Sequence, residues 1–292
     1  MRYLHHEIVS KRLNKRLVFN KVWKTIFIFA TCFALVVLMM LLYRILSQGL
    51  GYFDFDFLTN FASRIPENAG IKAALIGSLW LMTVVAPVSI LLGVCTAIYL
   101  EEYAKQNKLN DFIRMNISNL AGVPSIVFGL LGLTIFVRLF GFDKSILAAG
   151  LTMSLLILPV IIVAAQEAIR AVPNEQREAS YGMGATKWQT ILHVVLPAAI
   201  PGILTGSILA LSRAIGETAP LVVIGIPVIL QFLPTGYLDT FTALPMQIFE
   251  WAKRPQEEFQ FVASAGIIVL MIVLISMNSV AIFIRNKFQK RY

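Results

Sequence analysis

Between Ala73 and Leu100 the chain runs for 28 residues without a charge. About 20 apolar residues, each rising 1.5 Å in a helix, are enough to cross the roughly 30 Å of hydrocarbon in a bilayer. Within hydrocarbon a segment has to satisfy its own backbone N–H and C=O groups, and a helix does so unaided. Uncharged runs recur at Thr25–Tyr43 (19 residues), Ser145–Gln166 and Phe259–Ile284. With 58% hydrophobic and 14% charged residues and a mean hydropathy of +0.76, the composition lies beyond that of soluble domains. A single all-α integral membrane domain is therefore expected over residues 25–284.

The formal charge of +9 would suit a nucleic-acid binder, but its placement argues otherwise. Seven of the 25 basic residues (Arg2, Lys11, Arg12, Lys15, Arg16, Lys21 and Lys24) lie in the first 24 positions, and Arg285, Lys287, Lys290 and Arg291 lie in the last eight. Basic residues collect on the cytoplasmic side of membrane proteins, so the tails 1–24 and 285–292 are expected there and no nucleic acid is expected as a partner. Two cytoplasmic ends require an even number of crossings. The run Thr25–Tyr43 is longer than a typical signal core and is expected to stay as the first span. His5 and His6 read as solvated, and Cys32 and Cys95 as small buried hydrophobes outside any disulfide or metal site.

After the first span, Asp54, Asp56 and Glu67 outnumber Arg64 in an outer loop, and Tyr52, Phe53, Phe55 and Phe57 suit an interface. The second span contains Pro87, and Glu101–Arg114 forms a cytoplasmic loop with Lys105 and Lys108. Span three is placed within Met115–Val137, where Gly122, Gly129 and Gly132 admit two readings, close helix packing or a pore lining. Arg138–Lys144 is an outer turn before span four, which contains Pro159.

The segment Glu167–His193 is polar and is broken by Gly182 and Gly184. Thr186–Gln189 has the spacing of a capping box, which predicts two short helices hinged at the glycines, a shape suited to docking on another protein. Span five follows, with Pro197 and Pro201 below and Pro220 above. Gly202, Gly206 and Ala210 form a small-residue stripe at helical spacing, and Arg213, Ala214 and Glu217 extend that face, so the charges are expected on the packed side. Thr218–Leu238 is uncharged for 21 residues, but its prolines and glycines mark it as outer-side or re-entrant structure. Span six lies within Phe259–Ile284, for a total of six.

A charge at the middle of a membrane helix costs about 2.5–3.5 kcal/mol on insertion scales. Arg213 and Glu217 are therefore either a structural ion pair or part of a transport path. The Arg-before-Glu order is the weaker one for a plain helix-surface pair. A guanidinium presents a fixed fork of donors to a tetrahedral oxyanion and stays charged at any working pH. Glu217 would hold Arg213 when the path is empty and weaken its hold on the anion, as transport requires. No glycine in the chain is followed by lysine, so a phosphate-binding P-loop is excluded, and any ATP chemistry belongs to another subunit.

Glu178-Ala179-Ser180, Gly184, Val194 and Leu196-Pro197 keep the spacing of the EAA loop of ABC importer permeases, with Ser180 and Val194 in place of Ala and Ile. That resemblance implies a type I ABC importer permease fold with a coupling loop at 167–197. In such a loop Glu178, Ala179, Gly184, Leu196 and Pro197 meet the ATPase. LSRAIGETAPL at 211–221, AGVPSIVFGLLGL in span three and LPMQIF at 244–249 resemble the phosphate importer permeases, in particular the PstA-type subunit. The likeness implies inorganic phosphate as cargo and Arg213 with Glu217 on its path. It also implies a PstC-type second permease, two ATP-binding subunits, an extracytoplasmic phosphate-binding protein and a prokaryotic plasma membrane. Sulfate and molybdate permeases carry a similar segment and remain the alternative. A secondary anion transporter would not need the EAA-like loop and would more often show inverted repeats, and no catalytic cluster suggests a membrane enzyme.

Overall fold

The computed structural model describes residues 6–105 and 107–288. Within them the chain forms α1 (His6–Gly49), α2 (Phe55–Thr59), α3 (Lys72–Ile98), α4 (Lys108–Leu120), α5 (Ser125–Gly132) and α6 (Ile146–Arg170). It continues as α7 (Asn174–Gly182), α8 (Lys187–Thr190), α9 (Leu196–Gly216), α10 (Ala219–Ile224), α11 (Leu244–Lys253) and α12 (Glu257–Phe288). The only strand-like pairing among the described residues is one bridge between Ser145 and Thr240.

Five helical segments are long and apolar enough to cross a membrane: 16–52, 72–103, 146–170, 187–216 and 257–287. The candidate for a sixth crossing is a bent pair of helices. α4 and the segment Ser125–Leu139 meet at 103°, so the third span, expected within Met115–Val137, takes only the part from Ser125 on and runs two residues further, to Leu139. Met115 to Leu120 belong to α4, a separate amphipathic helix. The break falls at Pro124, whose ring disfavours helical backbone at Val123 and which stands as the N-cap of α5. The straight segment that remains, 15 residues from Ser125 to Leu139, is about 22 Å long, shorter than the roughly 30 Å of hydrocarbon.

α3, α6 and α9 form the centre of the bundle. Gly93 of α3 lies against Ile161, and Gly150 of α6 lies against Val84. Of the span-three glycines, Gly129 and Gly132 pack against neighbouring elements, whereas a Cβ on Gly122 would meet only Asn119 O at 3.5 Å. A Cβ on Gly132 would lie 2.0 Å from the Thr152 hydroxyl, and one on Gly129 would lie 2.9 Å from Pro220. Cys32 and Cys95 are free thiols on outward surfaces of α1 and α3, not in the core as expected.

Basic side chains gather at the end of the bundle where α3, α6 and α12 finish and α1, α4 and α9 begin, among them Arg114, Arg170, Arg177, Lys187 and Arg285. This basic end contrasts with the opposite, loop end. The residues from Thr218 to Leu238 do not cross. α10 stops at Gly225 in a left-handed conformation (φ +79°), beside Lys144. The loop that follows is held to the start of α6 by bonds from Leu147 N to Tyr237 O (2.9 Å) and from Ile146 N to Asp239 O (3.2 Å). α1 stands apart. Its 18-residue apolar window has no buried residue, and it joins the bundle near Gly49, which packs on Ser264 and Ala265 of α12. The basic tail expected over 1–24 is helical from His6 on and continuous with this span.

Candidate functional site

The polar segment between α6 and α9 folds as the expected helical hairpin. Pro173 precedes α7, and the chain turns there because proline cannot continue a helix. α7 closes with Gly184 N donating to Tyr181 O (2.9 Å) and Ala185 N donating to Ser180 O (3.2 Å), the paired bonds of a Schellman cap. Gly184 occupies the left-handed position of that cap (φ +85°), and a Cβ there would meet nothing within 4 Å. Glycine is therefore required by backbone conformation and not by space. α8 starts with the expected capping box, Thr186 and Gln189 each satisfying the other's backbone.

α7 has no buried residue. Glu178 and Ala179 are exposed on it, next to Met183 at 89% and Trp188 at 58% exposure. Leu196 and Pro197 lie elsewhere. They are half-buried at the root of α9, just after a wide π turn at Ile191–Val195. At Pro197 an α-helical bond to the His193 carbonyl has no donor, and the wider turn falls where that bond is missing. The five residues thus divide into three on an exposed hairpin and two at the helix that the hairpin leads into.

Two attachments hold α7 in place, and neither was apparent from the sequence. Ser180 and Thr190 share a hydrogen bond of 2.9 Å between α7 and α8. Arg177 reaches back from α7 to Glu102 (Nη2 to Oε1, 3.1 Å) and donates to the carbonyls of Ile169 (2.9 Å) and Val172 (2.5 Å). Arg177 directly precedes Glu178, but nothing in the sequence marks a residue 75 positions away as its partner.

Arg213 and Glu217 do form an ion pair, Nε to Oε1 at 3.2 Å. α9 ends at Gly216, so Glu217 is its C-cap, with ψ 119° already extended. A Cβ on Gly206 would lie 2.2 Å from that of Ala164, and one on Gly202 would lie 2.7 Å from that of Ala168. From this register α9 stops about 12 Å short of the loop end of α6. The small-residue stripe packs as expected at its lower part. Higher up, Ala210 and Ala214 are covered, but the Arg213 side chain is 52% exposed and that of Glu217 20%. The expectation that both charges lie on the packed side is corrected: α6 covers the glycines and leaves the guanidinium outside the chain's own core.

Ser212, beside Arg213, bonds to Asn278 of α12 at 2.5 Å, adding a polar group at nearly the same depth. Among the described residues no group of three or more His, Cys, Asp or Glu side chains is placed to hold a metal ion.

Residues 89–292 match the family described as binding-protein-dependent transport system inner membrane component. The chain is 33% identical to the phosphate transport system permease protein PstA 1 of Mycobacterium tuberculosis (strain CDC 1551 / Oshkosh), over 93% of this chain and 90% of that protein. It is 35% identical to PstA of Mycobacterium leprae (90% and 86%). It is 38% identical to the probable ABC transporter permease protein YqgI of Bacillus subtilis, over 66% of each. In fold it resembles the MetNI methionine ABC transporter in an inward-facing conformation (TM-score 0.63, 16% identity, 75% of this chain and 96% of that one). A bacterial ABC transporter that imports the acidic polysaccharide alginate gives a TM-score of 0.59 at 18% identity, over 98% of this chain and 100% of that one. By the extent of these likenesses the chain belongs to the inner-membrane components of binding-protein-dependent transport systems, with the PstA-type permeases among its relatives.

Proposed function

We propose that this chain is one of two permease subunits of an ATP-driven importer of inorganic phosphate in a prokaryotic plasma membrane. The observation that carries this reading is the position of Arg213. A guanidinium 52% exposed near the end of an apolar helix needs a partner surface or a water-filled space, and a second permease of the PstC type supplies both. Phosphate released by an extracytoplasmic binding protein at the loop end meets Arg213 between the two halves. Glu217 competes for the same donors, which keeps the anion from being held too tightly.

The basic end faces the cytoplasm, as the distribution of Lys and Arg supports, and both termini lie there. Each permease then presents a hairpin such as α7–α8 to one of two ATP-binding subunits, with Glu178, Ala179 and Gly184 in the contact and Leu196 with Pro197 carrying its movement into α9. ATP hydrolysis belongs to those subunits.

The test is uptake of labelled phosphate by vesicles holding the full complex with its binding protein, with sulfate and molybdate as competitors. Inhibition by unlabelled phosphate alone is the expected result. Competition by sulfate or molybdate at similar concentrations would replace the cargo, and uptake independent of ATP would replace the mechanism.

A further inference from the structure

We propose that Glu101, Glu102 and Tyr103, three successive residues on the wide turn that continues α3, receive the movement of the α7–α8 hairpin and pass it to the bundle, with Arg177 as the link. This deepens the importer reading and rests on it. α3 ends in a π turn, Tyr99–Tyr103, in which Ala104 N bonds to Tyr99 O at 2.8 Å. Such widened turns often occur at functional positions. Successive helical side chains fan out by about 100°, so three in a row can reach three different neighbours.

These three do so. Glu101 takes bonds from Arg170 (Nε to Oε2 and Nη2 to Oε1, both 2.8 Å) and from Gln166 (2.8 Å) of α6. It also lies 3.2 Å from Arg114 of α4. Glu102 holds Arg177 of α7 at 3.1 Å. Tyr103 lies under Lys187, the first residue of α8, whose Nζ is 5.0 Å from the ring centre. The side chains of Glu102 and Arg177 are only 8% and 16% exposed, so this is a covered pair inside an otherwise exposed hairpin. Arg177 also bonds Ile169 O and Val172 O at the end of α6. A push on α7 therefore cannot move that helix without moving the ends of α3 and α6.

Arg177 and Glu102 are positioning residues, and the readout is phosphate imported per ATP hydrolysed by the complete complex in vesicles with its binding protein. Glu102→Gln keeps shape and removes charge, Arg177→Glu and Glu102→Arg invert it, and the double inversion restores an opposite pair. Each single change should leave co-purification of the ATPase intact, because the exposed face of α7 is untouched, and lower the import-to-hydrolysis ratio about tenfold. The double inversion should recover most of that ratio. Singles at the wild-type ratio, or a stable double inversion without recovery, would overturn the proposal, and if the inverted singles fail to assemble, Glu102→Gln alone decides it. A wild-type chain that does not co-purify an ATPase would instead overturn the importer reading.

Discussion

Arg213 donates from Nε to Oε1 of Glu217 at 3.2 Å, and the acceptor is the residue that caps the end of α9. The pair therefore joins a helix terminus to the extended backbone that leaves it, and Glu217 can swing without unwinding a turn.

Arg213→Gln should abolish phosphate uptake while the complex still assembles, because a neutral amide offers neither the charge nor the fork. A hydrogen bond to a charged group contributes about 1.5–3 kcal/mol, or roughly a 10- to 100-fold loss of affinity. Vesicle uptake with assembly followed by co-purification is the measurement, and a near-wild-type rate would rule out a direct role.

Glu217→Gln should act in the opposite sense on affinity. With its competitor neutralised, Arg213 should hold the anion more tightly, so KM should fall together with the maximal rate. An unchanged KM would mean that the carboxylate does not compete with the cargo.

Gly184→Ala places a Cβ in a left-handed conformation (φ +85°), which costs roughly 1–2 kcal/mol. There is no clash to relieve, so the chain should express normally and lose ATPase-driven uptake through a misdirected hairpin. Equal losses from Gly182→Ala, at a helical glycine with open space, would point to a general sensitivity instead.

Gly206→Leu should damage the fold itself. A Cβ there lies 2.2 Å from that of Ala164, and overpacking of this kind costs about 1–3 kcal/mol or more. A lower melting temperature of the detergent-solubilised complex is expected, with a smaller drop for Gly206→Ala.

At the loop end, Asp239 accepts from the Thr235 hydroxyl and from the Thr235 and Gly236 amides, at 2.7, 2.7 and 2.8 Å. The hydroxyl first and the two amides after it hold its carboxyl below the usual carboxylate range. These bonds support the turn at all pH values above that range and are lost only as pH falls through the lowered value. Amide exchange at Gly236 should thus be insensitive to this carboxyl near neutral pH, and Asp239→Asn should speed it there.

The parts of this architecture that depend on spacing along the chain could be read from it. Ala73–Leu100 and Ser145–Gln166 announced spans by lacking charge, and Thr186 with Gln189 announced the start of α8. What could not be read depends on where separate segments meet. The bend at Pro124 looked like the interior of a span because Met115–Val137 contains no acid or base. Arg213 was assigned to the packed face because it shares a stripe with Gly206. The stripe is continuous on α9, but the cover that α6 provides is not. Glu101 marked only a loop boundary, since its partners Arg114 and Arg170 lie on two other helices.

Among the described residues α1 owes little to the remainder of the chain, joining it around Gly49. Along its apolar window it needs no neighbour to satisfy its backbone and buries nothing against the bundle, so its insertion does not depend on how the bundle packs. By the positive-inside rule the lysines and arginines in its first half, from Lys11 to Lys24, favour one direction of threading whatever the bundle does. An arm that takes almost no part in the interior would in this way set which side of the bilayer each end of the assembled carrier faces.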